Sequence, residues 1–378
     1  MKDFFIIAST FLEENTGKLL IGGVQTYIRD LALLAIEKGY KTVVYQIESR
    51  SDKEYKLDGI IIKCFPYQNM TNQKCFDYLY KIHNSENSIF IIATDQLNIK
   101  HKANNIVTIQ HGVAFDIPGD MLPYKYNKIM QHVNKLMRCI YNVKRFYMTK
   151  NTVCVDYNYY NWFRTIGTIY SDKKVFVIPN YTSNSITLDE LNNKLNKNRR
   201  NKILFARRFC DYRGAMLFAT VIKRLMVEFP DVEVTFAGSG PLEKSLKDLF
   251  KNTNRVSFAK FFAPESIDFH KNYDIAVVPT IFSEGTSLSL IEAMASGCFP
   301  IATHVGGMTN IILDRFNGLL CLPEEDALYY VLKETLNMSK IEFDNIVKNA
   351  FNSSITSFSY DLWKNKWIKV IDFIANNK

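Results

Sequence analysis

The chain has 378 residues, 47% apolar and 22% charged, and its 47 Lys and Arg against 38 Asp and Glu give a formal net charge of +9. That length is too great for one ordinary core and suggests two domains, and the apolar and charged fractions are those of a soluble globular protein. The opening MKDFFIIAST is too short an apolar run for a signal peptide, and no segment approaches the roughly 18 apolar residues of a membrane span. Seven scattered cysteines without a C-x-x-C fit reduced thiols and a cytoplasmic location.

In chain order, residues 4–8 read as a buried strand, 24–38 as an amphipathic helix, and 42–47, 59–64, 89–93 and 106–109 as further strands. This alternation predicts a parallel sheet with helices on both faces over a first domain, 1–184. The basic excess belongs here: residues 1–184 carry 23 Lys and Arg against 16 Asp and Glu, and the remainder 24 against 22. Residues 121–155 contain no acid, but hold Lys125, Lys128, Lys135, Arg138, Lys144, Arg145 and Lys150 among Tyr124, Tyr126, Tyr141, Phe146 and Tyr147. Ile129, Met130, Val133, Met137 and Ile140 recur there at helical spacing. The segment is therefore either a helix lying on an anionic bilayer or a core-facing stripe with a solvated basic face. No nucleic-acid motif accompanies the charge, which makes nucleic acid the poorer explanation.

Residues 185–201, rich in Asn, Lys and Arg, read as a linker. A second alternation follows, with strands at 202–206, 232–237, 256–259, 275–279 and 299–302 and helices at 215–228 and 242–250. This second doubly wound domain, 202–355, is expected to hold a nucleotide at the carboxyl ends of its strands. The last segment, 356–378, carries an amphipathic helix over 360–375 with Trp363 and Trp367.

The most informative stretch is 283–297. Strand 275–279 runs into Glu284, helix formers run from about Ser287, and Gly297 fits a C′ stop. Glu284 then stands at the positive helix end and Glu292 one to two turns in, roughly 8 to 10 Å away at the helical rise. That is about the span of a nucleoside diphosphate from ribose to the group beyond its second phosphate. Amides of Gly285, Thr286 and Ser287 would face a phosphate between them. A plainer reading also stands: Ser289-x-x-Glu292 matches a capping box, in which Glu292 bonds only to a backbone N–H. Arg207, Arg208 and Arg213 follow strand 202–206, where guanidinium groups can grip phosphate oxygens. Gly238 and Gly240 end the next strand in a turn that either admits a flat base or simply reverses the chain, and Gly306-Gly307 form another such turn.

The ordered motifs F-A-R-R-x4-R-G, F-A-G-S-G-P, Pro279-x4-Glu284-Gly285, the spaced glutamates, Ala293-Met294-Ala295-Ser296-Gly297 and Gly306-Gly307-x10-Gly318 resemble the retaining glycosyltransferases of family four, of the bacterial polysaccharide type. The resemblance covers nearly the whole chain and is strongest over 202–323. It implies an α/β GT-B fold, two Rossmann-like doubly wound domains facing a cleft, with the C-terminal helix of 356–378 crossing back to the first. It also implies that Arg208 and Arg213 hold the donor diphosphate, that Glu284 meets hydroxyls of the transferred sugar, and that Glu292 binds the ribose. Gly285, Thr286 and Ser287 would present N–H groups to the β-phosphate and sugar, and Gly238 and Gly240 would line the base. In the first half, Gly22-Gly23 resembles the glycine loop facing phosphates and acceptor. His111, in Gln110-His111-Gly112, resembles the strand-end histidine beside the reacting carbon. The chain departs from the pattern at Arg207, where glycine is common, at Arg213, where lysine is usual, and at Thr286-Ser287, where Phe-Gly is common. Asn180 is followed by Tyr-Thr-Ser in place of Gly-Val-Asp.

The implied activity moves a sugar from a nucleoside diphosphate sugar, UDP-sugar favoured, to an acceptor hydroxyl with retention. No Asp-x-Asp occurs, so no metal or cofactor is expected, and the arginines and a helix dipole would balance the leaving diphosphate. The expected acceptor is a lipid-linked saccharide of surface polysaccharide (O-antigen or capsule) assembly, met as a peripheral protein on the inner face of the cell membrane. A nucleotide-sugar epimerase would need acid and base groups on both faces of the sugar, and the first half offers few carboxylates beside His111. A non-catalytic nucleotide-sugar binding protein would not need every charged position filled, and a phosphorylase would need a cofactor lysine for which there is no signal.

Overall fold

The computed structural model describes residues 2–377 apart from 21, 67–69, 84–86, 114–127, 167–171, 198–199 and 283. The chain divides into two units, one formed by Met1–His111, Lys125–Pro179 and Trp363–Lys378, the other by Gly112–Tyr124 and Asn180–Leu362.

The first unit is built on eight strands: β1 Lys2–Ala8, β2 Tyr40–Gln46, β3 Glu48–Leu57, β4 Ile60–Pro66, β5 Ser88–Ile92, β6 Ile106–Gln110, β7 Asn151–Cys154 and β8 Lys174–Val177. Their order across the sheet is β3-β4-β2-β1-β5-β6-β7-β8, and every neighbouring pair is parallel except β3 with β4. Helices α1 Gly23–Glu37, α2 Asn72–His83, α3 Lys128–Phe146 and α4 Tyr157–Ile166 lie between the strands in sequence. β1 and β5 are near-continuous apolar runs because a parallel sheet is buried on both faces, and Phe4, Ile6, Ile7 and Phe90 are fully buried. β3 is not among the strands expected from the sequence. Its residues, E-S-R-S-D-K-E-Y-K-L, are mostly exposed, so hydrogen bonding to β4 defines it, and its charges blunt an open sheet edge. The short β7 and β8 were equally invisible among the basic residues around them.

The second unit has a wholly parallel sheet of β9 Lys202–Ala206, β10 Glu233–Ala237, β11 Val256–Ala259, β12 Ile275–Val278, β13 Phe299–Thr303 and β14 Leu319–Cys321, ordered β11-β10-β9-β12-β13-β14. The chain runs from β9 outward through β10 to β11, then returns to place β12 on the other side of β9. The carboxyl ends of β9 and β12 thus bound a topological switch point, where sheets of this kind bind ligands. Its helices are α5 Leu188–Leu195, α6 Ala215–Glu228, α7 Glu243–Leu249, α8 Ser266–His270, α9 Leu288–Ala295, α10 Glu325–Asn337 and α11 Lys340–Ser357. The expected linker 185–201 therefore contains a helix, α5. Thr187 and Glu190 close a capping box at its start, and Leu191 and Leu195, four apart, are buried on its inner face.

The last helix, α12 Tyr360–Asn376, begins at the edge of the second unit and spends most of its length in the first. Trp363 and Trp367 are buried there with their rings edge-on to Tyr27 of α1, at 5.3 and 6.1 Å between centroids. Trp367 Nε1 donates to the Tyr27 hydroxyl at 2.7 Å. Lys364 pairs with Glu37 and Lys38 with Asp372 at the rim.

Candidate active site

Glu284 lies in the loop between β12 and α9 and is buried, with 8% of its side chain exposed. Three donors converge on one of its oxygens, Oε2. Arg207 Nη2, from the end of β9, donates at 2.5 Å, Thr280 Oγ1, just after β12, at 3.0 Å, and Arg213 Nη1, from the turn before α6, completes the set. Arg207 Nη1 also donates to Thr280 Oγ1. Burial alone would raise the Glu284 carboxyl, but Arg207 and Arg213 overcome it and hold the group below its usual range. Burial lowers Arg207, against the pull of Glu284, while for Arg213 the carboxylate outweighs burial and the guanidinium is raised.

Backbone contacts fix this cluster. The Ile281 N–H donates to the Tyr212 carbonyl at 2.9 Å, tying the loop of Glu284 to the turn of Arg213. The Gly307 N–H donates to the Glu284 carbonyl at 3.0 Å, and Gly306 has φ +52° with its Cα so close that a Cβ would stand 2.1 Å from that same oxygen. Only glycine fits there. Gly238, at φ +147°, brings the end of β10 against the Arg207 carbonyl, where a Cβ would lie at 2.2 Å, and Gly240 approaches the Phe209 carbonyl in the same way. The glycine turn read as a base platform thus also clamps the loop that carries the arginines.

Of the two adjacent arginines, the resemblance implies the phosphate role for Arg208, and Arg207 departs from the pattern. Arg208 is exposed and its side chain makes no hydrogen bond among the described residues, whereas Arg207 is the one turned onto Glu284. Neighbouring side chains on an extended chain point to opposite sides, so one of the pair had to turn inward. Thr280 was missed for want of a charge.

Glu292 lies within α9, which starts at Leu288 with Ser287 as N-cap and no side-chain cap bond. The capping-box reading of Ser289 and Glu292 is therefore wrong: Ser289 is inside the helix. Glu292 Oε2 instead accepts from Ser266 Oγ of α8 at 2.7 Å. Burial pushes its carboxyl up to about 7, with the Ser266 hydroxyl opposing. Gly297, at φ +66°, ends α9 as expected. Gly285, Thr286 and Ser287 are buried at the start of α9, and Asn180 Nδ2 donates to the Thr286 carbonyl at 2.6 Å. Among the described residues, the amides of Gly285 and Ser287 donate to no acceptor of the chain.

In the first unit, His111 follows β6. Its Nε2 lies 2.9 Å from the Ala93 carbonyl, which can only accept, so Nε2 carries the proton and Nδ1, which has no hydrogen-bond partner among the described residues, is an acceptor. Burial lowers its pKa to about 4, keeping the imidazole neutral. The Tyr27 ring stands edge-on to it at 5.5 Å. Gly22 and Gly23 open α1, and Gly22 is extended at φ 175°, a conformation any residue adopts. On α3, Ile129, Val133, Leu136, Met137 and Ile140 are all exposed, Ile129 by 74%, which overturns the core-facing reading of that stripe. Arg145 is not part of the solvated face, since it pairs with the largely covered Asp95, whose side chain is 11% exposed. Residues 114–127, with Lys125 and its neighbouring tyrosines, lie outside the described residues. No described helix is long and apolar enough to cross a membrane, and the described residues contain no cluster of metal-ligating side chains.

Residues 188–352 match the family described as glycosyl transferases group 1. The chain is 21% identical over 344 residues to the gpi3 component of the phosphatidylinositol N-acetylglucosaminyltransferase of Schizosaccharomyces pombe, covering 83% of this chain and 70% of that protein. It spans only 41% and 31% of the length of two other curated glycosyltransferases it matches, one archaeal and one bacterial. In solved structures it superposes on the sucrose-phosphate synthase of Thermosynechococcus elongatus with a TM-score of 0.74 at 14% identity, covering all of both chains. Anabaena HepE in complex with UDP and glucose superposes with a TM-score of 0.67 at 13% identity over 99% of this chain and 100% of that one. The fold is GT-B, as the motifs implied.

Proposed function

We propose that this chain, whose residues 188–352 match the glycosyl transferases group 1 family, moves a sugar from a nucleoside diphosphate sugar to an acceptor hydroxyl with retention of configuration. One observation carries the reading: at the switch point of the second sheet a buried carboxylate is held ionised by two arginines and a threonine, beside a helix start with free amides. Glu284 orients the sugar hydroxyls, Arg208 and Arg213 take the diphosphate with the Gly285 and Ser287 amides, and Glu292 takes the ribose. The bond from the anomeric carbon to the phosphate oxygen breaks, the acceptor oxygen bonds to that carbon on the same face, and the departing phosphate takes the acceptor proton. His111, kept neutral by burial and protonated on Nε2, is the first unit's hydrogen-bonding group in this reading. UDP is the favoured carrier, a choice supported by the UDP bound in the Anabaena structure.

The acceptor we assign is a lipid-linked saccharide of surface polysaccharide assembly, reached by α3 lying on the inner face of the membrane. The exposed apolar residues of α3, with Lys135 and Arg138 beside them, support that placement. The yeast relative, named for phosphatidylinositol, supports a lipid-borne acceptor.

A panel of nucleoside diphosphate sugars screened by thermal stabilisation, then incubated with and without acceptor, tests the reading. The expected result is stabilisation by one UDP-sugar and its consumption only when acceptor is present. No stabilisation by any donor, or an epimer formed without acceptor, would sink it. Sedimentation with anionic liposomes that is lost at high salt is expected of α3, and absence of binding would remove the membrane from the proposal.

A further inference from the structure

Arg207 has no place in the motif pattern, which leaves that position to glycine, yet it makes the most buried contact of the site. Its side chain is 6% exposed, against 25% for Arg213, and it binds both Glu284 Oε2 and Thr280 Oγ1. We propose that Arg207 is a positioning residue: it pins Glu284 Oε2 so that Oε1 faces the donor sugar, and it compensates the carboxylate by itself so that Arg213 is released to the diphosphate. The inference rests on the donor reading above and adds to it a residue that touches no substrate.

Charge counting supports the division of labour. Arg207 and Glu284 cancel within the protein, and Arg208 and Arg213 remain as two positive charges for a diphosphate carrying two negative ones. Geometry supports it too. The Arg207 guanidinium is gripped at two of its nitrogens, and the Arg207 backbone is held by Gly238 and by its N–H bond to the Ala237 carbonyl at 3.0 Å. Among the described residues, Arg213 makes one side-chain hydrogen bond, to Glu284, and it lies against the Tyr212 ring at 5.0 Å. It is the partner able to swing. The groups facing Glu284 are Arg207 from the end of β9, Arg213 from the turn before α6 and Thr280 from the end of β12, with Cys210 and Tyr212 behind the arginines.

The test pairs Arg207→Met and Arg207→Lys with Glu284→Gln and the Arg207→Met/Glu284→Gln double variant. Turnover and KM for the donor are read alongside a carbon-13 titration of the Glu284 carboxyl, assigned by its loss in Glu284→Gln. Arg207→Met is expected to lower kcat ten- to a hundredfold, the scale of one charged hydrogen bond, with KM changed less than threefold and the Glu284 titration moved to higher pH. Lysine should restore part of the rate, and methionine should cost under threefold more on the Glu284→Gln background. An unmoved Glu284 titration, or equal losses with and without Glu284, would overturn the proposal. If Glu284 titrates as expected in both proteins but no donor is turned over by the wild type, the glycosyl-transfer reading falls while the hold of Arg207 on Glu284 stands.

Discussion

Glu284 and Glu292 belong to one motif and stand a few residues apart, but the fold places them in opposite electrostatic settings. Glu284 faces two guanidinium groups and is held ionised, whereas Glu292, on the body of α9, meets only the Ser266 hydroxyl and is driven by burial toward the neutral form. A spacing of carboxylates in sequence therefore sets where two acids stand and leaves their protonation to the elements packed around them. Here those elements are β9 for one and α8 for the other.

Removing the charge of Glu284 should have the largest effect. Glu284→Gln leaves the Arg207 side chain, 6% exposed, without a counter-charge, a loss of about 3–5 kcal/mol for a broken buried pair, and turnover is expected to fall roughly 100- to 1000-fold. Its melting temperature should fall as well. Because the folded pKa of Glu284 is depressed, its stabilisation is full above the ordinary carboxylate value and is lost as pH falls through the folded value. The deficit of the variant should therefore be present at pH 7 and fade in acid. An equal deficit at all pH values would show that the arginines do not hold the charge.

Glu292→Gln should behave in the opposite sense. Wild-type Glu292 has a raised folded pKa, so the folded protein keeps a proton that the unfolded chain loses between the ordinary carboxylate value and about 7, and stability falls across that window as pH rises. The glutamine variant is free of that loss and should melt higher than wild type at pH 8, by a few degrees, while binding nucleotide about tenfold more weakly. A lower melting temperature at pH 8 would break the contrast between the two acids.

A smaller effect is expected of pH itself on nucleotide binding. If the carboxylate form of Glu292 accepts the ribose hydroxyls, wild-type affinity should rise several-fold from pH 6 to pH 8 and be flat in Glu292→Gln, as calorimetric titration at each pH would read. The smallest is Ser266→Ala. Without the hydroxyl that opposes burial, the midpoint of that rise should move to higher pH, and an unmoved midpoint would remove Ser266 from the account.

The parts of this site legible from the residues were those with periodic or ordered signals. Continuous apolar runs marked β1, β5, β9 and β12, and the order of arginine, glycine and glutamate motifs placed the site on the second sheet. What escaped depended on side-chain direction or on pairing between distant segments. Which of Arg207 and Arg208 turns inward is decided by the twist of the chain leaving β9, and neither residue carries that information in its type. Thr280 and Ser266 are polar residues of ordinary kind whose partners lie 4 and 26 positions away. The charged edge strand β3 lacked the apolar run that marks a buried strand. Helix α5 did carry a signal, Thr187-x-x-Glu190 before Leu191 and Leu195, and it was outweighed by the surrounding Asn, Lys and Arg.

The placement of Trp363 and Trp367 against Tyr27 bears on how the protein is made. On the ribosome, α1 and β6 emerge early, but the hydroxyl of Tyr27 waits for Trp367 until the whole of Asn180–Leu362 has been synthesised. The first unit is thus begun first and finished last. Since Tyr27 is also the ring beside His111, the surroundings of that histidine are completed only when α12 has been made.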